Sequence, residues 1–582
     1  MDLKEKPFNL NNDQERWVNE TLATMSLDDK IKQLFVDMAA PVNEQITAHI
    51  VKEKKFGGIR YMNKNPKEIL DLISWNQKYS NIPLLVAANT EAGGNGACKG
   101  GTTVGFETKV AATGDEKYAY EMGRISALEA KAVGCNTLFA PIVDIHHNWR
   151  SPIIATRTWG NDVNRVIKYS KEYLKAAHEV GVGCFVKHFP GDGLDERDQH
   201  LANSVNPLST KEWDESFGKV YKEMIDSGVD GVMVGHIMLP SYEKKFNKDL
   251  HGAEFMPASL SKYLLQDLLR KQLGFNGVII TDASHMLGMT GRMKRSQLVP
   301  QAIASGCDMF LFYNDYEEDF NYVKKAIACN RLTVERIDEA VTRILAYKAH
   351  LNLYKQSFEP NYDGLSVVGC AEHKKISDEV AKKAITLVKA NEANVMPLTL
   401  KKYKKILLMH HDINTPFNSF ISNGGGPKYY EVVKNRLEKE GFEVELYTPV
   451  LEQLKKASVE ETQAIMNKLY TSKSPVSSIT NKYDLVIHLA NVPGNGVVQR
   501  IDFALVKGGI DIPWYAHELP VIFISVNSPF HLFDVPNVQT YINCYDANEN
   551  TINALVDKLV GKDDFTGVSP VDAFCGCEDT RW

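Results

Sequence analysis

Eight short apolar runs in the first three-fifths of the chain constrain its fold more than anything else in the sequence. They lie at residues 34–38, 58–62, 84–88, 137–143, 184–187, 231–236, 277–282 and 308–313. Each leads into a Gly-rich or polar turn and then a helical pattern, of which 211–227 and 260–273 are the clearest. Continuous apolar runs mark strands buried on both faces, as in a parallel sheet. Eight strand–helix units in succession predict an N-terminal (β/α)8 TIM-type barrel, with a doubly wound open sheet as the alternative.

The pattern changes after Tyr354. Residues 356–375 read as an irregular linker. Beyond them, apolar runs at 404–409, 442–447, 483–489, 520–526 and 538–543 alternate with helical patterns at 429–440 and 552–560. That alternation predicts a smaller three-layer α/β sandwich. The expected division is a barrel over 1–355, a linker over 356–375, the sandwich over 376–565 and a tail over 566–582. A chain of 582 residues is too long for one ordinary domain.

Composition removes several function classes. A net charge of −6 argues against a nucleic-acid partner, which would usually meet a basic face. No apolar run approaches the roughly 20 residues of a membrane span, so no membrane partner is expected. The N-terminal MDLKEKPFNLNNDQERW lacks the basic and apolar regions of a signal peptide, and the nine scattered cysteines read as reduced thiols. Together these predict a cytoplasmic location. The lone Cys575–Cys577 pair is too few ligands for zinc.

Polar residues crowd the C-terminal ends of the eight runs: Asn89 and Glu91, Asp144, Lys187 and His188, His236, Asp282, Asn314 and Asp315. In a barrel those ends converge on the face that carries the active site. Lys187-His188-Phe189-Pro190-Gly191-Asp192-Gly193 leaves a strand for a Gly/Pro loop that reaches Asp198-Gln199-His200. A carboxylate two residues from an imidazole can fix its tautomer and favour its protonated form, suiting it to donate and then accept a proton. Asp282 closes the run GVIITD. It can cap a following helix or attack an anomeric carbon as an ionised nucleophile. Asp144 and Arg157 can hold sugar hydroxyls by charge-assisted hydrogen bonds. The adjacent His146 and His147 do not make a metal site unaided. Asn89-Thr90-Glu91-Ala92-Gly93-Gly94 lacks the spacing of a phosphate loop.

These segments together resemble glycoside hydrolase family 3, and within it the β-N-acetylglucosaminidase branch. KHFPGDG…DQH is similar to the branch's K-H-F-P-G-x-G…D-[ST]-H. GVIITDASHM resembles the strand of the family's aspartate nucleophile, PIVDIHHN…TRTWGND its substrate-binding segment, and AITLVKANEANVMPL the link into its second domain. The resemblance implies Asp282 as nucleophile, His200 as acid/base, Asp198 as its orienter, and Lys187, His188, Arg157 and Asp144 around the −1 sugar. Asn89, Glu91 and His236 are further candidates for substrate contact. The chain departs from the family where Asn89 replaces an aspartate, Asn95 an arginine, and Asp192 a frequent histidine.

The expected function is therefore a retaining exo-β-N-acetylglucosaminidase of a small carbohydrate, with no cofactor and no metal. Two alternatives stay open. One is a phosphorylase taking inorganic phosphate as acceptor, since a histidine does not repel phosphate as a carboxylate does. The other is a β-glucosidase or broad-specificity β-glycosidase. A non-catalytic sugar binder would require loss of Asp282 or His200, and both are present. Homodimerisation through the C-terminal domain is left open by the sequence.

Overall fold

The computed structural model describes all residues except 41, 391–394, 413–427, 472–474, 493–499 and 504–508. Part of the segment resembling the inter-domain link, 391–394, therefore lies outside the described residues. The chain forms two compact units: residues 1–107 with 116–376, and residues 108–115 with 377–582.

The first unit is built on eight strands: β1 (Phe35–Ala39), β2 (Gly58–Tyr61), β3 (Leu85–Ala88), β4 (Thr137–Leu138), β5 (Gly183–Phe189), β6 (Gly231–Val234), β7 (Val278–Thr281) and β8 (Phe310–Leu311). Each falls on one of the eight apolar runs. They pair in parallel in the order β8-β1-β2-β3-β4-β5-β6-β7. A parallel bridge between Ile280 and Met309 joins β7 back to β8, and the Thr281 N–H donates to the Met309 carbonyl at 3.1 Å. The sheet thus closes on itself as the barrel, not the open sheet. Every residue of β3, β5, β6 and β7 is buried, as strands require when the barrel interior is packed and helices cover the outside.

Local chemistry sets the helix ends. Between β4 and β5, Asp162 caps the helix Val163–Val180 by accepting from the Arg165 N–H, and Gly181 ends it at φ 83°, where a side chain is disfavoured. Its Val166, Tyr169, Tyr173, Leu174 and Ala177 are buried at helical spacing. The expected helix over 211–227 forms from Thr210–Trp213 through a wider turn at Asp214–Gly218 to Lys219–Asp226. Asp315, a strand-end polar residue, caps the helix Tyr316–Ala328. The stretch 356–375 is less irregular than expected. It holds a 3-10 turn at Asp363–Val367 and the start of the helix Ala371–Ala384, where His373 donates to the buried Glu129 at 2.7 Å.

The second unit carries, among the described residues, β9 (Thr386–Lys389), β10 (Lys405–Asp412), β11 (Glu443–Leu446), β12 (Leu485–Asn491), β13 (Val521–Ser525) and β14 (Thr540–Asn543). Their order is β9-β14-β13-β12-β10-β11, parallel except for β9 against β14. The period of two along β10 shows why both faces are covered. Ile406 and Leu408 pack with Val433 and Leu437 of the helix Tyr429–Lys439, while Leu407 and Met409 pack with Tyr515, Leu532 and Val538. Residues 108–115, expected in the barrel domain, belong here. Buried Lys109 donates to Asp546 at 2.7 Å and to Thr551 at 2.8 Å. The tail packs as well, with Val571, Ala573 and Cys575 buried. Among the described residues no helix is long and apolar enough to cross a membrane.

Candidate active site

Lys187, inside β5, which runs two residues past it to Phe189, and Arg157, on the loop after β4, converge on Glu91. Glu91 Oε1 accepts from Lys187 Nζ at 2.6 Å and from Arg157 Nη2 at 2.9 Å, and Oε2 accepts from Arg157 Nε at 2.7 Å. Burial resists charge on Glu91, yet the two cations outweigh it and hold the carboxyl far below its ordinary range. Arg157, also opposed by burial, is held charged by Glu91. The cluster carries net positive charge beside the mouth. Both oxygens of Glu91 are engaged inside it, so Glu91 holds the two cations in place. Asn89 itself is exposed at the end of β3. Glu91→Ala would strand a buried and a part-buried cation. We expect it to lower unfolding free energy by about 3–5 kcal/mol, read as a fall in denaturant midpoint.

Asp144 is fully buried and works inward. Its Oδ2 accepts from His188 Nδ1 at 2.7 Å, and its Oδ1 accepts from the backbone N–H groups of His188 at 3.2 Å and Asp192 at 2.8 Å. A carboxylate can only accept, so the proton sits on His188 Nδ1. His188 Nε2 then lies 4.0 Å from Asp282 Oδ2.

Asp282 follows β7 directly. Its N–H donates to the Val234 carbonyl at 2.9 Å, and its Oδ1 accepts the Ala283 N–H at 2.7 Å. The next helix, Leu287–Thr290, begins after Met286, so Asp282 is not its cap. The side chain keeps 13% of its surface exposed. Burial resists its charge, but His188, His236 and His200 outweigh this and keep its pKa below the ordinary carboxylate value.

His236 supports this strand end from behind. Its Nε2 donates to the Ala283 carbonyl at 3.0 Å, because a carbonyl cannot donate, which leaves Nδ1 to accept from Ser259 Oγ at 2.8 Å. Burial pushes its pKa down, against the opposing pull of the Asp282 charge. With both nitrogens engaged and no exposed surface, His236 is placed to position the peptide after Asp282 and not to touch a sugar.

The loop after β5 turns on Gly191 and Gly193, at φ 116° and 108°. A Cβ on Gly193 would lie 2.1 Å from the Ile145 carbonyl oxygen, so no side chain fits there. Further along, Asp198 Oδ1 accepts from the His200 N–H at 2.8 Å and from His200 Nδ1 at 2.6 Å. Burial lowers the His200 pKa, but the hydrogen bond and charge of Asp198, helped by Asp282, raise it above the ordinary histidine value. The imidazole stays 47% exposed. The loop is hydrogen-bonded to the segment after the nucleophile candidate: Leu287 N–H donates to the His200 carbonyl at 3.0 Å and Gly288 N–H to the Gln199 carbonyl at 3.0 Å. An ionised carboxylate and a readily protonated imidazole thus share one rim, the pairing that double displacement at an anomeric carbon needs.

Sequence reasoning missed Gln199, fully buried between Asp198 and His200, and Ser259, which bonds His236 Nδ1. It also missed Glu107, whose buried carboxyl accepts the Ile142 N–H at 2.7 Å and is pushed well above its ordinary pKa by burial. Position 199 was legible only as part of D-x-H; nothing in the sequence marks Ser259 or Glu107. His146 is buried, with its pKa pushed down to about 4 by desolvation. Among the described residues no group of three or more His, Cys, Asp or Glu could hold a metal ion.

The family model for the glycosyl hydrolase family 3 N-terminal domain matches residues 26–347. A Cellulomonas fimi protein named beta-N-acetylglucosaminidase/beta-glucosidase is 38% identical over 583 residues, covering all of both chains. The structure of the beta-glucoside phosphorylase BglX superposes with a TM-score of 0.88 at 36% identity, covering 100% of this chain and 99% of that one. A family 3 beta-N-acetylglucosaminidase from a Paenibacillus species shares the fold, with a TM-score of 0.77 at 24% identity over 95% of this chain and 100% of its own. With its barrel, its strand-end aspartate and these full-length matches, the chain belongs to glycosyl hydrolase family 3.

Proposed function

We propose that this family 3 glycosidase is a retaining exo-enzyme that releases terminal β-linked N-acetylglucosamine through a glycosyl-aspartate. The observation that carries the reading is the docking of the Asp198–His200 loop on the segment after Asp282. In the first step Asp282 attacks the anomeric carbon while protonated His200 donates from Nε2 to the departing oxygen. Neutral His200 then takes a proton from the acceptor as it attacks the same carbon and frees Asp282. Asp198 holds Nδ1 throughout and stabilises the imidazolium. Lys187, Arg157 and His188 contact the −1 sugar, Asp144 sets the His188 ring, and Asn89 meets distal hydroxyls as donor and acceptor. The Cellulomonas relative supports an acetamido sugar, and its double name leaves glucose as the competitor.

A second acceptor is favoured by two observations: the full-length likeness to a beta-glucoside phosphorylase, and a half-exposed imidazole where a carboxylate would repel an anion. Initial rates on aryl β-N-acetylglucosaminide and aryl β-glucoside, each with and without phosphate, test both points. We expect the acetamido substrate to turn over faster. Equal or faster turnover of the glucoside overturns that preference. Phosphorus NMR of the product decides the acceptor: sugar 1-phosphate means phosphorolysis, and free sugar alone excludes it.

A further inference from the structure

We propose that Gln199 is a positioning residue that buckles the acid/base loop shut, holding His200 over the mouth before substrate arrives. The proposal rests on the reading of His200 as acid/base.

A carboxamide has one accepting and one donating end, and in Gln199 both are used in opposite directions. Oε1 accepts the His236 N–H at 2.7 Å, at the end of β6. Nε2 donates to Asp192 Oδ2 at 3.2 Å, on the loop after β5. The Gln199 carbonyl accepts the Gly288 N–H, beyond Asp282. One fully buried residue therefore ties its loop to two other segments, after β6 and after β7, and to the start of the loop itself. The loop's other bonds to the segment after Asp282 come from the His200 carbonyl and from Asn203 Nδ2, which donates to the Gly288 carbonyl at 2.8 Å. Glu196, Arg197, His200 and Leu201 are exposed, and only Asp198 beside it is buried.

Both arms lead to the nucleophile. Through His236 the contact passes to the Ala283 carbonyl. Through Asp192 it passes to Asp144, which accepts the Asp192 N–H and holds His188, 4.0 Å from Asp282. The Ser or Thr of the resembling D-[ST]-H signature offers one hydroxyl, too short to span both partners. In this chain Gln199 and Asp192 depart from the common residues together, and they are bonded to each other. Burial and the neighbouring Asp144 push the Asp192 carboxyl up to about 7, opposed by His188 and Arg157. The buried Tyr221 also feels its charge. A carboxylate at position 199 would thus be a third, beside Asp192 and Asp144, in a site already resistant to negative charge.

The test separates loop closure from general loss of structure. A 2,4-dinitrophenyl glycoside departs without a proton, whereas an alkyl glycoside needs His200. Gln199→Ala is expected to lose on the order of 10²-fold in kcat/KM on the alkyl glycoside, the scale of a small misplacement of a catalytic group. The dinitrophenol burst, which reports the Asp282 step, should change by less than about threefold. Q199E should lose at least as much on the alkyl substrate, and adding D192N to it should restore about tenfold or more by giving the introduced carboxylate a donor in place of a repelling partner. Equal loss on both substrates, or no restoration by D192N, overturns the proposal. His200→Ala serves as the control. If that variant itself shows no dependence on the leaving group, the acid/base reading fails and the buckle has nothing to position.

Discussion

Asp282→Asn is expected to lower kcat/KM on aryl glycosides by on the order of 10⁴–10⁶-fold, the scale seen when a covalent nucleophile is removed. The variant keeps the shape of the side chain and can still accept the Ala283 N–H. What it loses is the negative charge that His188, His236 and His200 stabilise in a buried setting. A melting temperature within a few degrees of the parent would show that the loss is chemical. The smaller Asp282→Ala variant adds a product test. Azide entering the vacated space attacks from the nucleophile's side of the ring, so a β-glycoside gives the α-glycosyl azide. An Asp282→Asn variant with more than a tenth of parental activity would remove Asp282 from the role of nucleophile.

His200→Ala should cost roughly 10²–10⁴-fold on substrates with poor leaving groups, the usual worth of general acid catalysis. The loss should shrink as the leaving group improves. Its pH signature follows from the direction of the shifts. The His200 pKa is raised by Asp198, so the acid form persists to higher pH than in a free histidine and is lost as pH rises through that raised value. Parental kcat/KM should therefore fall on the alkaline side, and His200→Ala should lack that limb. On the acidic side Asp282 must be ionised. Its pKa is lowered, so the acid limb should fall below the ordinary carboxylate pKa near 4. An alkaline limb that survives in His200→Ala would assign that titration to another group.

Much of this site could be read in one dimension because its signals are local. Strands buried on both faces have to be apolar throughout, and the helices between them have to be amphipathic, so the eight runs announce a barrel. A barrel of parallel strands brings all C-terminal ends to one face, which made Asp144, Lys187, His188 and Asp282 candidates before any contact was known. Asp198 and His200 are two residues apart, close enough for one loop to bond them to each other.

Other features depended on partners far along the chain. Glu91 read alone looked like a sugar ligand, and only the fold shows Arg157 and Lys187, 66 and 96 residues away, bonded to its oxygens. His236 looked like another until Ser259 and Ala283 took both its nitrogens. Residues 108–115 sit between two barrel strands in sequence, yet Lys109 finds its counter-charge at Asp546, 437 residues on.

What the sequence by itself determined is the architecture and the set of groups able to do chemistry. Hydrophobic periodicity, turn glycines and short-range D-x-H spacing are properties of neighbouring residues. Only the tertiary structure decided which of those groups face substrate and which hold another in place. That choice is made by buried hydrogen bonds between distant segments, where an unpaired polar group costs roughly 1–3 kcal/mol and so takes whichever partner the fold brings within reach.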